Sequence, residues 1–337
     1  MAFAQFRFPY SETYTKILYD ADPIELHSFE DLHDKEGFVI APFNITEDTP
    51  IIIIPSAEAT ITEHSITNSS TNTTEYTTEL ENAEPISESY LNDFAKFHQA
   101  ICDGQFSKLV LAKEKTIYKQ SSKLQELFSK ICKEFPRAMV MMFETCKSGI
   151  WLIASPEILL DQQKSFYCTM ALAGTMQYKD GLPEWSEKNK NEQNIVERYI
   201  EKTITPICNQ IIKDGPRTVR AGNLMHLRTD FRFHINPDIN IGQLIAQLHP
   251  TPAVCGMPKA EAKDFIINNE SIDRKYYSGF AGPLNLNGET HLYVSLRCMN
   301  ITDDSITAYA GGGILKESVV EDEWKETELK LISRVLR

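Results

Sequence analysis

The sequence is poor in the features that mark secreted, membrane-spanning or nucleic-acid-binding proteins. Its seven cysteines are widely spaced and form no CxxC or Cys/His zinc pattern, so reduced cytosolic thiols are expected. The longest aliphatic run, Ile51 to Ile54, is too short to cross a bilayer, and the N-terminus lacks the apolar core of a signal peptide. Positive charge is scarce, with 34 Lys plus Arg against 47 Asp plus Glu and a net charge of −13, whereas nonspecific nucleic-acid binding needs a positive field. We therefore expect a soluble, cytoplasmic, globular protein without membrane or nucleic-acid partners.

Helical and strand patterns alternate along most of the chain. Residues 59–80 are rich in Ser, Thr and Asn and predict an exposed loop or a ragged edge strand. They separate an N-terminal variable part, residues 1–85, from residues 86–337, and we expect both to belong to one structural domain. Strands interrupted by long helices indicate an α/β (α+β) sandwich with mainly antiparallel sheets flanked by helices. The predicted helices are Tyr90–Asp103 and Glu187–Ile204, and the predicted strands are Lys108–Thr116, Ala138–Phe143, Gly149–Ala154, Phe166–Leu172, Thr218–Leu227, His291–Cys298 and Ser305–Ala308.

The C-terminal part of the chain places three glycines shortly before an acidic helix. Gly311–Gly313 predict a turn whose backbone N–H groups converge on an anion. In the helix that follows, Glu323, Glu326 and Lys330 share one face. Such a combination suits a small dianionic substrate held through a divalent metal. The alternative is a solvated helix face that ends in a Glu326–Lys330 pair.

Three charged residues stand in otherwise apolar surroundings. Glu192 falls within the apolar stripe of its predicted helix, where a carboxylate must be paired or bound to a metal, although a first-turn acid that favours the helix dipole is equally possible. Lys108 begins a strand that is apolar on both faces, so it is either a desolvated general base or a lysine that reaches solvent. Glu157 follows a strand and a Ser-Pro break; burial there would raise its pKa and suit a general acid, whereas an acid at the N-terminus of a turn is commoner.

Other segments carry weaker signals. His226 lies on a predicted strand, where a satisfied structural histidine is the usual case. Arg297 is a strand arginine that could grip a carboxylate through two hydrogen bonds. Gly174 lies in a glycine turn, which is ordinary unless it touches a ligand. The loop 249–256, His-Pro-Thr-Pro-Ala-Val-Cys-Gly, is rigid and could wall a pocket.

Ten segments in a fixed order give the sequence a family resemblance. They are SKLVLAKE, ASPEILL, ALAGT, KNKNEQNIV, MHLRT, LHPTPAVCGMP, YYSGFAG, VSLRC, AGGGI and EWKETELK, all between residues 90 and 337. This series resembles the chorismate-utilising enzymes, a family that includes isochorismate synthase, salicylate synthase, aminodeoxychorismate synthase and anthranilate synthase component I. The resemblance implies the large two-sheet fold of anthranilate synthase component I, with chorismate as substrate and Mg²⁺ as cofactor.

The resemblance also assigns roles to individual residues. It implies that Lys108 is the general base that activates water and that Glu157 is the general acid. Glu192 and Glu326 match carboxylates that hold Mg²⁺, with Glu323 beside them. The positions that match the substrate pocket are Gly174, Thr175, His226, Ala253, Tyr277, Arg297, Gly311, Gly312, Gly313 and Lys330.

Single positions distinguish among the members of the family. Ala173 stands where the aminodeoxychorismate enzymes carry a lysine, and ammonia-using relatives lack a lysine at position 108. The sequence therefore most resembles the isochorismate synthases, isomerases that add water at C2 of chorismate and remove the C4 hydroxyl, for menaquinone or siderophore biosynthesis. Two departures from the family pattern are Gln193, in place of a histidine, and Met176, in place of an arginine-containing continuation. Alternatives are a salicylate synthase, which also eliminates pyruvate, and a noncatalytic chorismate-binding protein. With no obvious association motif, we expect a monomer or a weak homodimer.

Overall fold

The fold is built around antiparallel sheets covered by helices. The computed structural model describes residues 1–66, 85–118, 123–178, 183–222 and 224–332. In chain order the strands are β1 (Ala2–Arg7), β2 (Thr13–Tyr19), β3 (Ile24–Leu26), β4 (Gly37–Ala41), β5 (Ile51–Pro55), β6 (Thr60–Ser65), β7 (Lys108–Tyr118), β8 (Met139–Thr145), β9 (Gly149–Ser155), β10 (Ile158–Gln163), β11 (Phe166–Gln177), β12 (Cys208–Ala221), β13 (Leu224–Ile235), β14 (Gly256–Met257), β15 (Phe280–Leu284), β16 (His291–Val294), β17 (Cys298–Ile301) and β18 (Ser305–Ile314). The helices are α1 (Glu88–Cys102), α2 (Leu124–Glu134), α3 (Glu187–Ile204), α4 (Ile241–Leu248), α5 (Lys259–Asn269) and α6 (Val320–Lys330).

Within the described residues the strands form two nine-stranded sheets. The first has the order β14-β7-β18-β17-β9-β8-β1-β2-β6, and the second has the order β12-β13-β11-β10-β16-β15-β4-β5-β3. Strands from the first 66 residues take part in both sheets. Thr60–Ser65 form an edge strand paired with β2, which is one of the two structures predicted for the polar segment; residues 67–80 lie outside the described residues.

Strands with two apolar faces explain how the sheets stack. In β4, Phe38 and Ile40 point into the core between the two sheets, where they meet residues such as Phe143. Val39, which points to the opposite face, packs in the layer that contains Val196 of α3. Because successive strand residues face opposite sides, such a strand needs apolar residues throughout. These packing relations confirm the predicted two-sheet, mainly antiparallel sandwich flanked by helices. No helix in the described ranges has both the length and the apolar character that spanning a membrane requires.

Local sequence signals predicted the bounds of one long helix correctly. Helix α3 spans the predicted residues Glu187–Ile204, and the side chain of Ser186 accepts a hydrogen bond from the Asn189 N–H at its start. Val196 and Ile200 are buried on the side that faces the second sheet.

Two predicted strands are wrong. In one the chain reverses direction at a turn, and in the other it passes from one sheet to the other. The segment 218–227 is two strands joined by a turn at Gly222, whose φ of 63° suits glycine. The segment 291–298 ends in the second sheet at Val294 and resumes in the first sheet at Cys298. Arg297 therefore lies at the crossing between sheets, with a φ of 47°, and not on a strand.

The predicted glycine turns are also wrong, because both glycine segments are parts of strands. Gly311–Gly313 lie in β18 and pair with β7. Gly174 lies in β11, where the register with β13 shifts between Ala173 and Thr175. Its φ of 69° is the left-handed conformation that glycine adopts in such bulges.

Candidate functional site

A cleft at the crossing between the two sheets collects most of the predicted site residues. Its empty space is about 660 Å³, open solvent included. Residues from β11, β13, β18, α3 and α6 surround it, together with the crossing itself and the loop that precedes β14. The predicted residues that line it are Glu157, Gly174, Thr175, Glu192, His226, Ala253, Tyr277, Arg297, Gly311, Gly313 and Lys330. Lys108, Gly312, Glu323 and Glu326 do not line it directly.

Lys108 and Glu192 form a buried ion pair at the base of the cleft. Lys108 is 0% exposed, so it does not reach solvent, and its Nζ lies 2.9 Å from Glu192 Oε1. Burial by itself raises the pKa of Glu192, but the combined attraction of Lys108, Lys330 and Lys188 holds that pKa below its ordinary value. Glu192 is therefore a buried, paired carboxylate, as its position in the apolar stripe indicated.

Gln193, the residue after Glu192, anchors this part of α3 to the sheet. Its Oε1 accepts a hydrogen bond from the Ala173 N–H at 2.9 Å. Its Nε2 donates to the Ala171 carbonyl and to Thr229 Oγ1, both at 3.2 Å. Gln193, which stands where the family often has histidine, thus makes three hydrogen bonds to the sheet. These bonds hold the turn of α3 that carries Glu192.

Glu157 is a buried carboxyl held next to the break between β9 and β10. Ser155 Oγ accepts a hydrogen bond from the Glu157 N–H at 3.2 Å, so the Ser-Pro segment sets the backbone direction. Glu157 Oε1 is buried and has no hydrogen-bond partner among the described residues. Burial raises its pKa to about 8, against the opposing attraction of Lys108 and Lys330. The direction is the one that its apolar surroundings predicted, and the group is mostly protonated at pH 7.

His226 and Arg297 form a cationic unit on the opposite wall. Burial, together with the positive charges of Arg297 and Lys330, lowers the pKa of His226 to about 3, so the ring is neutral. Its Nδ1 lies 3.0 Å from the Gly174 carbonyl and its Nε2 lies 3.2 Å from a terminal nitrogen of Arg297. The ring therefore donates from Nδ1 to the carbonyl and accepts at Nε2 from the guanidinium.

Arg297 is available to an anion from the cleft. Burial lowers its pKa to about 10, which leaves it charged at neutral pH. Its other terminal nitrogen donates to the Ala221 carbonyl at 3.3 Å. No carboxylate of the described ranges lies within 4.0 Å of its guanidinium. A buried cation without a counter-charge favours binding of an anionic ligand.

The acids of α6 are held by lysines. Glu326 Oε1 lies 2.8 Å from Lys330 Nζ, and both side chains are largely buried. The alternative prediction, that this pair ends a solvent-exposed helix face, is therefore wrong. Lys330 Nζ also donates to the Gly311 carbonyl at 3.0 Å. Glu323 pairs with Lys188 of α3. Sequence reasoning missed Lys188, although it lies four residues before Glu192 on the same helix face.

The predicted three-acid metal set is not assembled as a cluster. No group of three or more His, Cys, Asp or Glu residues placed to bind a metal occurs in the part of the chain that the structure describes. The acids nevertheless fit a cation chemically. Glu323 Oε2 is buried without a hydrogen-bond partner among those residues, and burial followed by the charge of Glu326 raises the pKa of Glu323. Two mutually repelling carboxylates with a free oxygen are stabilised by a hard divalent ion.

Close side-chain approach explains the three glycines of β18. A Cβ on Gly311 would lie 2.5 Å from the Tyr277 hydroxyl, and one on Gly313 would lie 2.2 Å from Glu192 Oε1. A Cβ on Gly312, on the opposite face, would meet Glu323 Oε2 at 3.3 Å.

Gly311 and Gly313 line the cleft as strand residues, not as the predicted turn. Ala112 and Val110, the partners of Gly311 and Gly313 in β7, donate their N–H groups to Glu270 Oε1 and the Cys255 carbonyl, away from β18. In an antiparallel pair, two directly opposite residues either both point their N–H groups towards the partner strand or both point them away from it. The N–H groups of Gly311 and Gly313 therefore point away from β7. Pairing of β18 with β17 ends at Tyr309, so among the described residues no strand pairs with this edge of Gly311–Gly313, where Lys330 donates to the Gly311 carbonyl.

Replacing Gly313 by alanine should damage the site more than replacing Gly312. The new Cβ would force Glu192 and Lys108 apart, because it would lie 2.2 Å from Glu192 Oε1 and 2.8 Å from Lys108 Cε. We expect the free energy of unfolding to fall by about 1–3 kcal/mol, with a smaller loss in Gly312→Ala. Denaturant unfolding of both variants measures the difference. Equal losses would contradict this explanation of the glycines.

The comparisons with known proteins identify a family and a shared fold. The family model described as "Chorismate binding enzyme" matches residues 29–336. The chain is 27% identical over 264 residues to isochorismate synthase DhbC of Bacillus subtilis, covering 73% of this chain and 66% of that protein. It is 29% identical over 193 residues to isochorismate synthase EntC of Escherichia coli, covering 54% of this chain and 49% of that protein. The chain therefore spans about half to two thirds of the length of these curated relatives.

The solved structure of MenF, the menaquinone-specific isochorismate synthase of Escherichia coli, has the same fold. It superposes with a TM-score of 0.79 at 20% identity, covering 100% of this chain and 89% of that chain. The family model spans nearly all of the sequence, and the cleft is lined by most of the residues to which the resemblance assigned roles. The chain belongs to the chorismate-binding enzyme family.

Proposed function

We propose that this protein is an isochorismate synthase that converts chorismate to isochorismate with Mg²⁺ as cofactor. The observation that carries the proposal is one cleft lined by a buried acid, Glu157, and by Glu192, whose ion-pair partner at the base of the cleft is the buried Lys108. The same cleft contains Arg297, which has no carboxylate within 4.0 Å among the described residues. The names of the relatives support the same activity. The solved structure that shares this fold is that of a menaquinone-specific enzyme, and we propose menaquinone or siderophore biosynthesis as the setting of the product.

The cleft offers separate positions for the two carboxylates of chorismate. Arg297, held by neutral His226, and the open N–H groups of Gly311 and Gly313 bind the enolpyruvyl carboxylate. Glu192, Glu323 and Glu326 would hold Mg²⁺, which when bound neutralises the carboxylate of the ring. Apolar walls formed by Leu172, Val254 and Leu296 exclude water from the rest of the ring. Val254 belongs to the loop 249–256 that was predicted to wall a pocket, whereas sequence reasoning did not single out Leu172 and Leu296.

The base and the acid move protons at two different carbons of the substrate ring, C2 and C4. Lys108 takes a proton from a water molecule whose oxygen bonds to C2, and the double bonds of the ring shift. Glu157 gives its proton to the C4 hydroxyl as the C4–O bond breaks, so one water enters and one leaves. A raised pKa on the acid keeps its proton available at pH 7.

Product analysis tests the proposal. The purified protein is incubated with chorismate and Mg²⁺, and the products are separated by chromatography. Accumulation of isochorismate is the expected result. Salicylate together with pyruvate would identify a salicylate synthase, and unchanged chorismate bound to the protein would identify a noncatalytic chorismate-binding protein; either outcome overturns the proposal.

A further inference from the structure

A second, larger cavity adjoins the cleft. It has about 1890 Å³ of empty space, part of it open solvent. Pro156, Leu172 and Arg297 line both cavities, so the two are contiguous, and Arg297 stands at the junction. The reaction described above does not use the outer cavity.

The outer cavity is lined by positive charge in an acidic protein. Four arginines line it, Arg137, Arg220, Arg228 and Arg297, against one carboxylate, Glu134, among the described lining residues. The whole chain has a net charge of −13, so the lining of this cavity has the opposite sign of charge to the protein as a whole. A cleft lined by one sign of charge focuses the electric field and attracts ligands of the opposite sign.

Two of these arginines are exposed and keep free hydrogen-bond donors. Arg137 and Arg220 are exposed, and no carboxylate of the described ranges lies within 4.0 Å of either guanidinium. Arg228 differs, because its terminal nitrogen lies 2.7 Å from Asp230 Oδ1. The outer cavity therefore has two uncompensated cations at its rim and a third, Arg297, at its inner end.

Neighbouring groups hold the side chain of Arg220 and anchor the backbone beside Arg137. The Arg220 guanidinium lies over the Tyr178 ring, 3.8 Å from the ring centre, and its Nε donates to the Gly222 carbonyl at 2.8 Å. Arg137 follows Pro136, whose carbonyl accepts a hydrogen bond from Arg7 at 2.8 Å. Neither contact uses the terminal nitrogens of Arg220 or the guanidinium of Arg137, so these groups remain free to bind an anion.

We propose that the outer cavity is an access vestibule for small dicarboxylates. Arg137 and Arg220 capture the anion from solution, and Arg297 receives one of its carboxylates at the junction with the cleft. The identity of the ligand rests on the proposed function, since the dicarboxylate would be chorismate. The vestibule increases the rate of substrate capture without taking part in the chemical step.

Steady-state kinetics at several ionic strengths test the vestibule. Wild-type kcat/KM for chorismate should fall as salt screens the arginines. The double variant R137Q/R220Q should have a kcat/KM about 3- to 10-fold lower at low ionic strength, a flatter salt dependence and a kcat within about twofold of wild type. The matched control is R198Q, because Arg198 is exposed on α3 and does not line either cavity. It should behave as wild type.

The outcomes separate the vestibule from the proposed function. A double variant that keeps the wild-type kcat/KM and salt dependence overturns the vestibule. A wild-type protein without turnover overturns the proposed function instead. In that case isothermal titration with chorismate tests the vestibule directly, because R137Q/R220Q should weaken binding at low salt and R198Q should not; equal affinities would overturn it.

Discussion

Replacing Lys108 by methionine should reduce kcat/KM for chorismate by about 10²- to 10⁴-fold, the usual contribution of a general base. Lys108 is fully buried, and its Nζ lies 2.9 Å from Glu192 Oε1, so no solvent-borne base replaces it at that point. The measurement is steady-state turnover at saturating Mg²⁺. The matched control is Lys115→Met on the same strand, because Lys115 pairs with Glu328 and lies outside the cleft. A Lys108→Met variant with wild-type turnover would contradict the assignment of the base.

Loss of folding must be separated from loss of the base in this variant. Removing Lys108 leaves Glu192 as a buried charge without its nearest partner, and breaking such a pair destabilises a protein by about 3–5 kcal/mol. In the double variant Lys108→Met/Glu192→Gln the unpaired charge is gone, so much of the unfolding free energy should return. Its turnover is compared with that of Glu192→Gln alone, which has lost the same proposed Mg²⁺ ligand; equal turnover in the two variants would show that Lys108 has only a structural role.

Replacing Glu157 by glutamine should lower kcat by about 10²- to 10⁴-fold and change the pH profile. Glutamine keeps the size of the side chain but has no proton to give to the leaving hydroxyl. Because burial raises the pKa of Glu157 to about 8 and the acid acts in its protonated form, wild-type activity should fall as the pH rises through about 8. The residual activity of Glu157→Gln should lack this basic limb. A matched control is Glu317→Gln, an exposed acid away from the cleft; a basic limb that persists in Glu157→Gln would assign it to another group.

The same raised pKa predicts a difference in stability. A carboxyl whose pKa is higher in the folded state than its ordinary value of 4.5 binds its proton more tightly when folded. Its contribution to stability is therefore fully present below pH 4.5 and is lost as the pH rises towards about 8. Glu157→Gln stays neutral, so it should gain stability relative to wild type between these pH values. Denaturant unfolding at pH 5 and at pH 9 measures this change, and a constant difference would contradict burial as the cause.

Local sequence signals predicted the elements whose causes are local. Helix α3 has its capping serine, Ser186, and its apolar stripe within its own segment, so its bounds could be read directly. Gly311–Gly313 could not, because three glycines in a row indicate a turn, whereas here they make room for Tyr277 and Glu192. These side chains come from distant parts of the chain. Arg297 was misplaced for a similar reason, since a crossing from one sheet to the other leaves no periodic signal.

The candidate site was predictable in its residue types but not in its pairings. The apolar stripe of its helix singled out Glu192, the face shared with Glu323 and Lys330 singled out Glu326, and apolar surroundings singled out Glu157; the family resemblance added their roles. Which lysine holds which acid depends on how α3 and α6 pack against β18, so the contact between Lys188 and Glu323 was missed. The two readings of Lys108 also remained open until the fold placed Glu192 beside it.

Reaction in H₂¹⁸O tests the central claim most directly, because the proposed chemistry takes its new oxygen from solvent. Chorismate is incubated briefly with the protein and Mg²⁺ in labelled water, and the isochorismate is analysed by mass spectrometry with fragmentation to locate the label. Water activated by Lys108 and added at C2 predicts one ¹⁸O in the product, at the C2 hydroxyl. Isochorismate without label would show that the C4 hydroxyl is transferred within the molecule, and would contradict the acid–base mechanism built on Lys108 and Glu157.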